Sequence, residues 1–480
     1  MTRVARLGLF PVLLGLGCVG LNPAYSDSRG SAGGDGSGST AAESGSEETI
    51  GETGHGSADG TGSSTTDADD PDEWEFTDDE AAEFEAGVLD NLEWNAGAGA
   101  LSLPGGEFKG QTRSRIFTTG GITAQLVHLE WSPPAPYGVG LFGPEVDELG
   151  GYARGGADTN ALDLLLRFDR EDDGLAPGET VHDASGNEHH GTLDGADVAR
   201  ISGVFRRGVE NPGDGFVSFP PAALAPGVDE FTWTAWFRSE QCMGDSIVAF
   251  DAPDENDANT SSVWMTCSVS SLCPEPGGAE FATLQAGAFS ISATGEADGP
   301  RACGSVQVDD GVWHHVAMRL RHANGGTDVE VFVDGEADGL AVPSPGQVDF
   351  AYGAPHTFSA LGNPALEYSG HGEFDEIALW RRPLDDGELK ALYNRGATDV
   401  TMRVRACMQP DCSDNPPFVG LPALGGVFRD SGPEKDHGYD IDTLDLVGVA
   451  FQYELSLERR RAGANSPLIP RVSMSAVADD

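Results

Sequence analysis

Between Ala161 and Arg395, apolar and polar residues alternate in short runs, and Gly, Pro, Asp or Asn interrupts them at close intervals. A period of two belongs to strands with one buried face, so this stretch predicts antiparallel β-sheet and excludes a helical bundle. In FTWTAWFR, Phe231, Trp233, Ala235 and Phe237 fall on one face and Thr232, Thr234 and Trp236 on the other. Both faces are fairly apolar, which predicts a central strand. The turn Asp309-Asp310-Gly311 leads into VWHHVAMRL, and Asp334-Gly335 closes a hairpin. After EFDEIALW, Pro383 precedes a short helix, with Asp385 as its N-cap and Leu389 and Leu392 packed back on the sheet. The 66 Gly and 29 Pro suit a turn-rich β protein.

The chain opens with MTRVARLGLFPVLLGLGC, where Arg3 and Arg6 precede an apolar run from Leu7 to Leu16 and no acidic residue comes before Asp27. This is the pattern of an export signal, and the run is shorter than the roughly 20 apolar residues that cross a bilayer. Leu14-Gly15-Leu16-Gly17-Cys18 resembles the end of a bacterial lipoprotein signal. The resemblance implies a signal over 1–18, lipidation of Cys18, and a place on the outer membrane or cell surface. Cleavage after Ala24-Tyr25-Ser26, giving a secreted or periplasmic protein, is the alternative.

Residues 19–80 read as a disordered acidic linker. From 26 to 80 the composition is mainly Gly, Ser, Thr, Ala, Asp and Glu, with 16 acidic residues and one Arg. Such a segment buries too little to offset a backbone entropy of roughly 1–2 kcal/mol per residue, and it repels itself into an extended spacer. Of the formal net charge of −50, −37 remains on residues 81–480. So acidic a body excludes nucleic acid as a partner and leaves the membrane to the N-terminal lipid. The other six cysteines are Cys242, Cys267, Cys273, Cys303, Cys407 and Cys412, an even number that predicts disulfides in an exported chain. A bridge between Cys407 and Cys412 closes a short loop and contributes about 2 kcal/mol. The other four leave three pairings open.

Several middle segments follow one another in a telling order: Asp183-Ala184-Ser185-Gly186-Asn187 with His190-Gly191, FTWTAWFR, DGVWHHVA, FVDG and FDEIALWRRPL. In this order they resemble the LamG-like jelly-roll domain of the concanavalin A-like lectin/glucanase superfamily, over 156–396. The resemblance implies two antiparallel sheets packed face to face. It also implies calcium as a cofactor, held by Asp183, Asn187 and Asp375. The alternative gives Asp183 and Asn187 to Asx-type turns and Asp375 to a strand cap. Glycan-cleaving members of the superfamily carry a strand of the form Glu-x-Asp-x-x-Glu. Here Glu373 and Asp375 share a strand face, Glu376 points away, and Ala378 takes the third place. No catalytic residue is therefore assigned, and no enzyme is expected. Trp233, Trp236, Trp313 and Trp380 are expected in the core, and His189, His190, His314 and His315 in structural roles. Trp264, Tyr352, Phe358 and Tyr368 fall nearer turns and are the candidate platforms for a sugar ring or a protein partner.

Two strands within 81–155, Arg113 to Thr118 and Ile122 to Trp131, cannot stand alone. Residues 397–480 add VTMRVRAC, GGVF, GVAFQYELSLE and PLIPRVSMSAV. These segments resemble a module of bacterial surface proteins in which SRIF and LVHLEW lead straight into VRVRAC, FQYELSL and SPLIPRVSM. The chain thus reads as all-β, with a jelly roll inserted in, or flanked by, a second smaller β-sandwich. The expected function is non-catalytic binding or adhesion at the cell envelope, toward a carbohydrate or an envelope or extracellular protein. A secreted glycan-processing enzyme and a purely structural scaffold are the alternatives.

Overall fold

The computed structural model describes residues 72–479, apart from 196–197, 214, 220–229, 243–244, 252–260, 269–281, 292–296, 324–325, 343–356, 364–367 and 462. Cys18, Cys273 and Tyr352 lie outside the described residues. The protein is all-β, and its longest described helix is Asp386–Ala397.

The middle of the chain forms an eight-stranded and a ten-stranded antiparallel sheet. Phe231–Arg238 lies inside the eight-stranded sheet, between His371–Trp380 and His314–Ala323. Its Phe231, Trp233, Ala235 and Phe237 meet Ile247, Met265 and Leu284 of the other sheet in one core. Each of the large apolar side chains contributes about 1.5–3 kcal/mol through burial, which is why alternation holds the register. The opposite face of the strand is covered too. Thr232 Oγ1 accepts from Leu384 N at 2.8 Å, and Trp236 stacks on Tyr393 at 6.1 Å between ring centroids. The hairpin turn is built by two left-handed residues, Asp334 at φ 55° and Gly335 at φ 74°. Gly335 is also a close approach, since a Cβ there would lie 2.8 Å from Lys390 Cα.

The helix Asp386–Ala397 starts with a capping box, Asp385 Oδ1 accepting from Glu388 N and Glu388 Oε2 from Asp385 N, both at 2.8 Å. Leu389 and Leu392 pack with Ala317, Phe332 and Ala378 on the outer face of the eight-stranded sheet. The helix runs directly into the strand Thr398–Cys407, so no free linker separates the jelly roll from that strand.

Both ends of the chain build the second sandwich together. Ala124–Trp131 pairs with Val472–Ala478, and Lys109–Arg113 with Ala450–Arg459. Leu126, Leu129 and Trp131 share a core with Val400, Met402, Phe451 and Tyr453. The chain leaves this sandwich and returns at one point, because Gly138 N–H donates to Arg395 C=O at 2.8 Å. Tyr137 packs in the smaller sandwich, whereas Leu141 packs on the jelly roll.

The acidic linker was expected to run to residue 80, yet Glu73–Asp78 is an edge strand on Val472–Ala478. Trp74 and Phe76 supply the apolar area that the rest of that segment lacks. Phe76 is buried against Phe117, and the buried Asp78 accepts from Tyr453 Oη at 2.6 Å and Arg115 Nε at 2.8 Å. Cys242 and Cys267 form a disulfide with a sequence separation of 25, as do Cys407 and Cys412 with a separation of 5. The chain-entropy model gives the longer loop about 3.5 kcal/mol. Cys303 is disulfide-bonded as well.

Candidate functional site

The strand His371–Trp380 is not regular. Its pairing with Phe231–Arg238 shifts by one residue between Thr234 and Trp236, and Glu376 takes a left-handed φ of 47°. This β-bulge carries the alternation across an extra residue. Phe374 and Ile377 therefore both face the core, and Asp375 and Glu376 both face outward. Regular alternation had put Glu376 on the face opposite Asp375, and the bulge overturns that expectation.

Both carboxylates are buried, Asp375 under the turn 203–206 and Glu376 under the segment around Leu141. Asp375 Oδ2 accepts from Phe205 N at 3.0 Å, and its Oδ1 from Glu376 N at 2.8 Å. Burial first, then the charge of Glu376, push the Asp375 carboxyl well above its usual range. Glu376 Oε2 accepts from Leu141 N at 3.2 Å, and Arg167 Nε stands 3.7 Å from its Oε1. Burial raises this group as well, against the pull of Arg167. Gly140 leaves room for this carboxylate, since a Cβ there would displace Glu376 Oε1.

Above Glu376 opens a cleft of about 800 Å³ between the two sandwiches. The jelly roll contributes Arg167, Asp169, Glu376 and the turn 202–206, and the smaller sandwich contributes Arg429, Tyr439 and Arg460. Phe142 forms part of its wall. Burial raises the Asp169 carboxyl against a hydrogen bond from Arg207 N. Arg206 holds a φ of 150°, a conformation that costs a side-chain-bearing residue on the order of 1–3 kcal/mol. Arg429 and Arg460 converge on one carboxylate, that of Asp399, with Arg460 Nη2 at 2.8 Å.

At Gly203, Val204 and Arg460 the cleft continues into a recess of about 420 Å³. Trp236 lines it from the buried face of the strand, and Val312, Trp313, Arg238 and Arg461 complete it. Trp313 was expected in the core. It is only half-buried, because it precedes the strand His314–Ala323 and carries the Arg238 guanidinium 5.0 Å from its ring centroid. Rings, guanidinium donors and carboxylate acceptors thus share one concave surface, which equips it to hold a polar ligand with flat apolar faces.

The other expected site residues are not gathered here. Trp264 and Phe358 lie on strands of the ten-stranded sheet, Trp264 in the row of Ala249 and Ser359, Phe358 in that of Phe250 and Val263. Tyr368 pairs with Asn363 in a separate two-stranded sheet. Asp183, Asn187 and Asp375 do not fit a calcium site. Asp183 Oδ1 accepts from Leu165 N at 2.9 Å and Ser185 N at 2.8 Å, and Oδ2 from Ser185 Oγ at 2.7 Å and His189 N at 3.0 Å. Asn187 Nδ2 donates to the Leu162 and Asp163 carbonyls at 2.9 and 3.1 Å. These are the bonds of a locked turn, and Asp375 shares no partner with them. Among the described residues no three His, Cys, Asp or Glu side chains are grouped to hold a metal ion.

Most of the cleft residues escaped sequence reading because they come from 138–206 and 423–460, far apart in the chain. One signal was present. Arg459-Arg460-Arg461 is a cationic run in a chain with only 28 Lys and Arg.

Residues 211–390 match the concanavalin A-like lectin/glucanases superfamily, and the jelly-roll fold agrees with that match. A domain of this superfamily fits carbohydrate or protein binding. No curated protein matches the chain. Among solved structures, the chain is similar to domain 4 of AbnA, a GH43 extracellular arabinanase from Geobacillus stearothermophilus, in complex with arabinotriose. That likeness has 18% identity and a TM-score of 0.33, and covers 48% of this chain and 98% of that one. It is also similar to the binding domain of Paraclostridial Mosquitocidal Protein 1, at 12% identity and a TM-score of 0.33, over 52% of this chain and 62% of that one. A heptameric SAP-like pentraxin from Limulus polyphemus gives 15% identity and a TM-score of 0.25, over 34% of this chain and 70% of that one.

Proposed function

We propose that this chain is an exported, non-catalytic binding protein of the cell envelope, anchored through a lipid on Cys18, that holds a carbohydrate between its two sandwiches. The observation that carries the reading is the cleft of about 800 Å³, to which both sandwiches contribute polar groups and beside which the half-buried Trp313 ring lines a recess. A sugar has hydroxyls for the carboxylates and guanidinium groups and a flat face for a ring. The disulfides suit an extracellular setting. Glu376 and Asp169 each accept a backbone N–H, from Leu141 and Arg207, which favours holding a ligand over cleaving it. Calcium has no part in this reading, since the Asp183 carboxylate is filled by four hydrogen bonds.

The test is a glycan array probed with the mature protein, alongside its Trp313→Ala and Tyr439→Phe variants. Saturable binding that Trp313→Ala abolishes supports the reading, and no glycan binding at all ends it in favour of a protein partner or a scaffold. A second reading, a glycan-processing enzyme, draws on the raised carboxyls of Glu376 and Asp169 in the same cleft. Release of reducing ends from any array hit, lost in Glu376→Gln, would establish it.

A further inference from the structure

The cleft inverts the charge of the molecule around it. Six arginines line it and its recess: Arg167, Arg206, Arg238, Arg429, Arg460 and Arg461. Only three carboxylates do so, Asp169, Glu376 and Asp430. This is about a fifth of the 28 Lys and Arg of the chain, gathered on a body of formal charge −37.

The arginines are unequally engaged. Arg238 pairs with Glu373, while Arg429 and Arg460 share the single carboxylate of Asp399. Asp430 is occupied by Tyr152 Oη at 2.6 Å and His437 Nδ1 at 2.9 Å. Arg167 Nε and Nη2 are buried without a hydrogen-bond partner among the described residues. Neither Arg206 nor Arg461 makes an ion pair or a side-chain hydrogen bond there. The Arg206 and Arg461 guanidinium groups therefore retain their donor capacity, whereas Arg167 stands against Glu376, with Nε 3.7 Å from Oε1. A guanidinium matches a planar carboxylate with two parallel N–H bonds.

We infer that the ligand of this cleft is an acidic polysaccharide, one whose sugar units carry carboxylates. This rests on the carbohydrate reading above and specifies its class. Guanidinium donors would take the sugar carboxylates, and Asp169 and Glu376 would accept from its hydroxyls. Trp313, half-buried with the Arg238 guanidinium over its ring, adds an aromatic side chain to the wall of the recess. An acidic peptide answers only the first of these features, since it sets its carboxylates against Asp169 and Glu376 with few hydroxyls to offer them. At about 0.15 M salt the Debye length is about 8 Å, so a ligand in the cleft responds to its near arginines more than to the distant acidic surface.

The experiment measures binding of the mature protein at about 0.15 M salt by calorimetry. The probes are oligogalacturonate, the same oligomer fully methyl-esterified, and poly-glutamate. The free acid should bind about tenfold more tightly than the ester, and Arg206→Gln and Arg461→Gln should each weaken it about tenfold with the melting temperature unchanged. Equal binding of acid and ester would overturn the acidic class while leaving the carbohydrate reading intact. So would tight binding that neither arginine variant alters. Poly-glutamate binding as tightly as the free acid would overturn the sugar assignment. Loss of binding to every glycan, charged or neutral, would remove the carbohydrate reading and this inference with it.

Discussion

Replacing Arg395 by Met tests whether the junction between the two sandwiches is held by a buried charge. Arg395 Nη2 stands 2.5 Å from Glu148 Oε2, and the two side chains are 3% and 0% exposed. Removing one partner of such a pair leaves the other charge in the interior, which costs about 3–5 kcal/mol. Two backbone donors would remain on Glu148, Phe142 N at 3.0 Å and Ala157 N at 2.9 Å. They favour the lower end, about 3 kcal/mol. If both sandwiches melt as one unit of roughly 400 residues, the unfolding entropy is about 0.8 kcal/mol/K and the midpoint falls by about 4 °C. Urea unfolding followed by tryptophan fluorescence and by circular dichroism supplies the free energy. Glu148→Gln should be similarly costly, and the double variant should cost about 2 kcal/mol less than the sum, because neither charge is then abandoned. A loss below about 1 kcal/mol for Arg395→Met, or a cycle additive within about 0.5 kcal/mol, would refute the reasoning.

Three further outcomes are expected. Millimolar calcium or a chelator should leave the melting temperature unchanged, because the oxygens of Asp183 already accept four donors; a calcium-dependent rise would show that the turn opens to coordinate the ion. Burial is the largest single influence on His437 and opposes its charge, but the bond to Asp430, the Asp430 charge and the Gly151 carbonyl together outweigh it and raise its pKa. That contribution is fully present below the unfolded value of about 6.5 and is lost as pH rises through the higher folded value. The stability lost in His437→Gln should therefore be largest near pH 5 and shrink as pH rises through the folded value, and a difference that ignores pH in thermal melts would contradict the pairing. Finally, replacing 139–394 by about three glycines should leave a sandwich with one cooperative urea transition, since Gly138 and Arg395 already touch at 2.8 Å. Gradual, probe-dependent unfolding would show that the outer sandwich depends on its insert.

What the sequence disclosed and what it hid divide along one line, between local periodicity and three-dimensional apposition. Phe231–Arg238 shows its faces because each residue reports its own burial, and Asp334-Gly335 and Asp385 show themselves because turns and caps are settled within a few residues. Trp74 and Phe76 were legible in the same way but were swamped by the acidic composition around them. The bulge at Glu376 broke the reading of the strand, although Phe374 and Ile377, three apart and both apolar, were the trace it left. The cleft left almost no trace, because its arginines come from 167–238 and 429–461. A net charge is a sum over the whole surface and carries no positions. Coulomb interactions in salt are set by the nearest few charges. A body at −37 can therefore exclude nucleic acid over most of its surface and still present an anion-binding hollow where its insert meets its host.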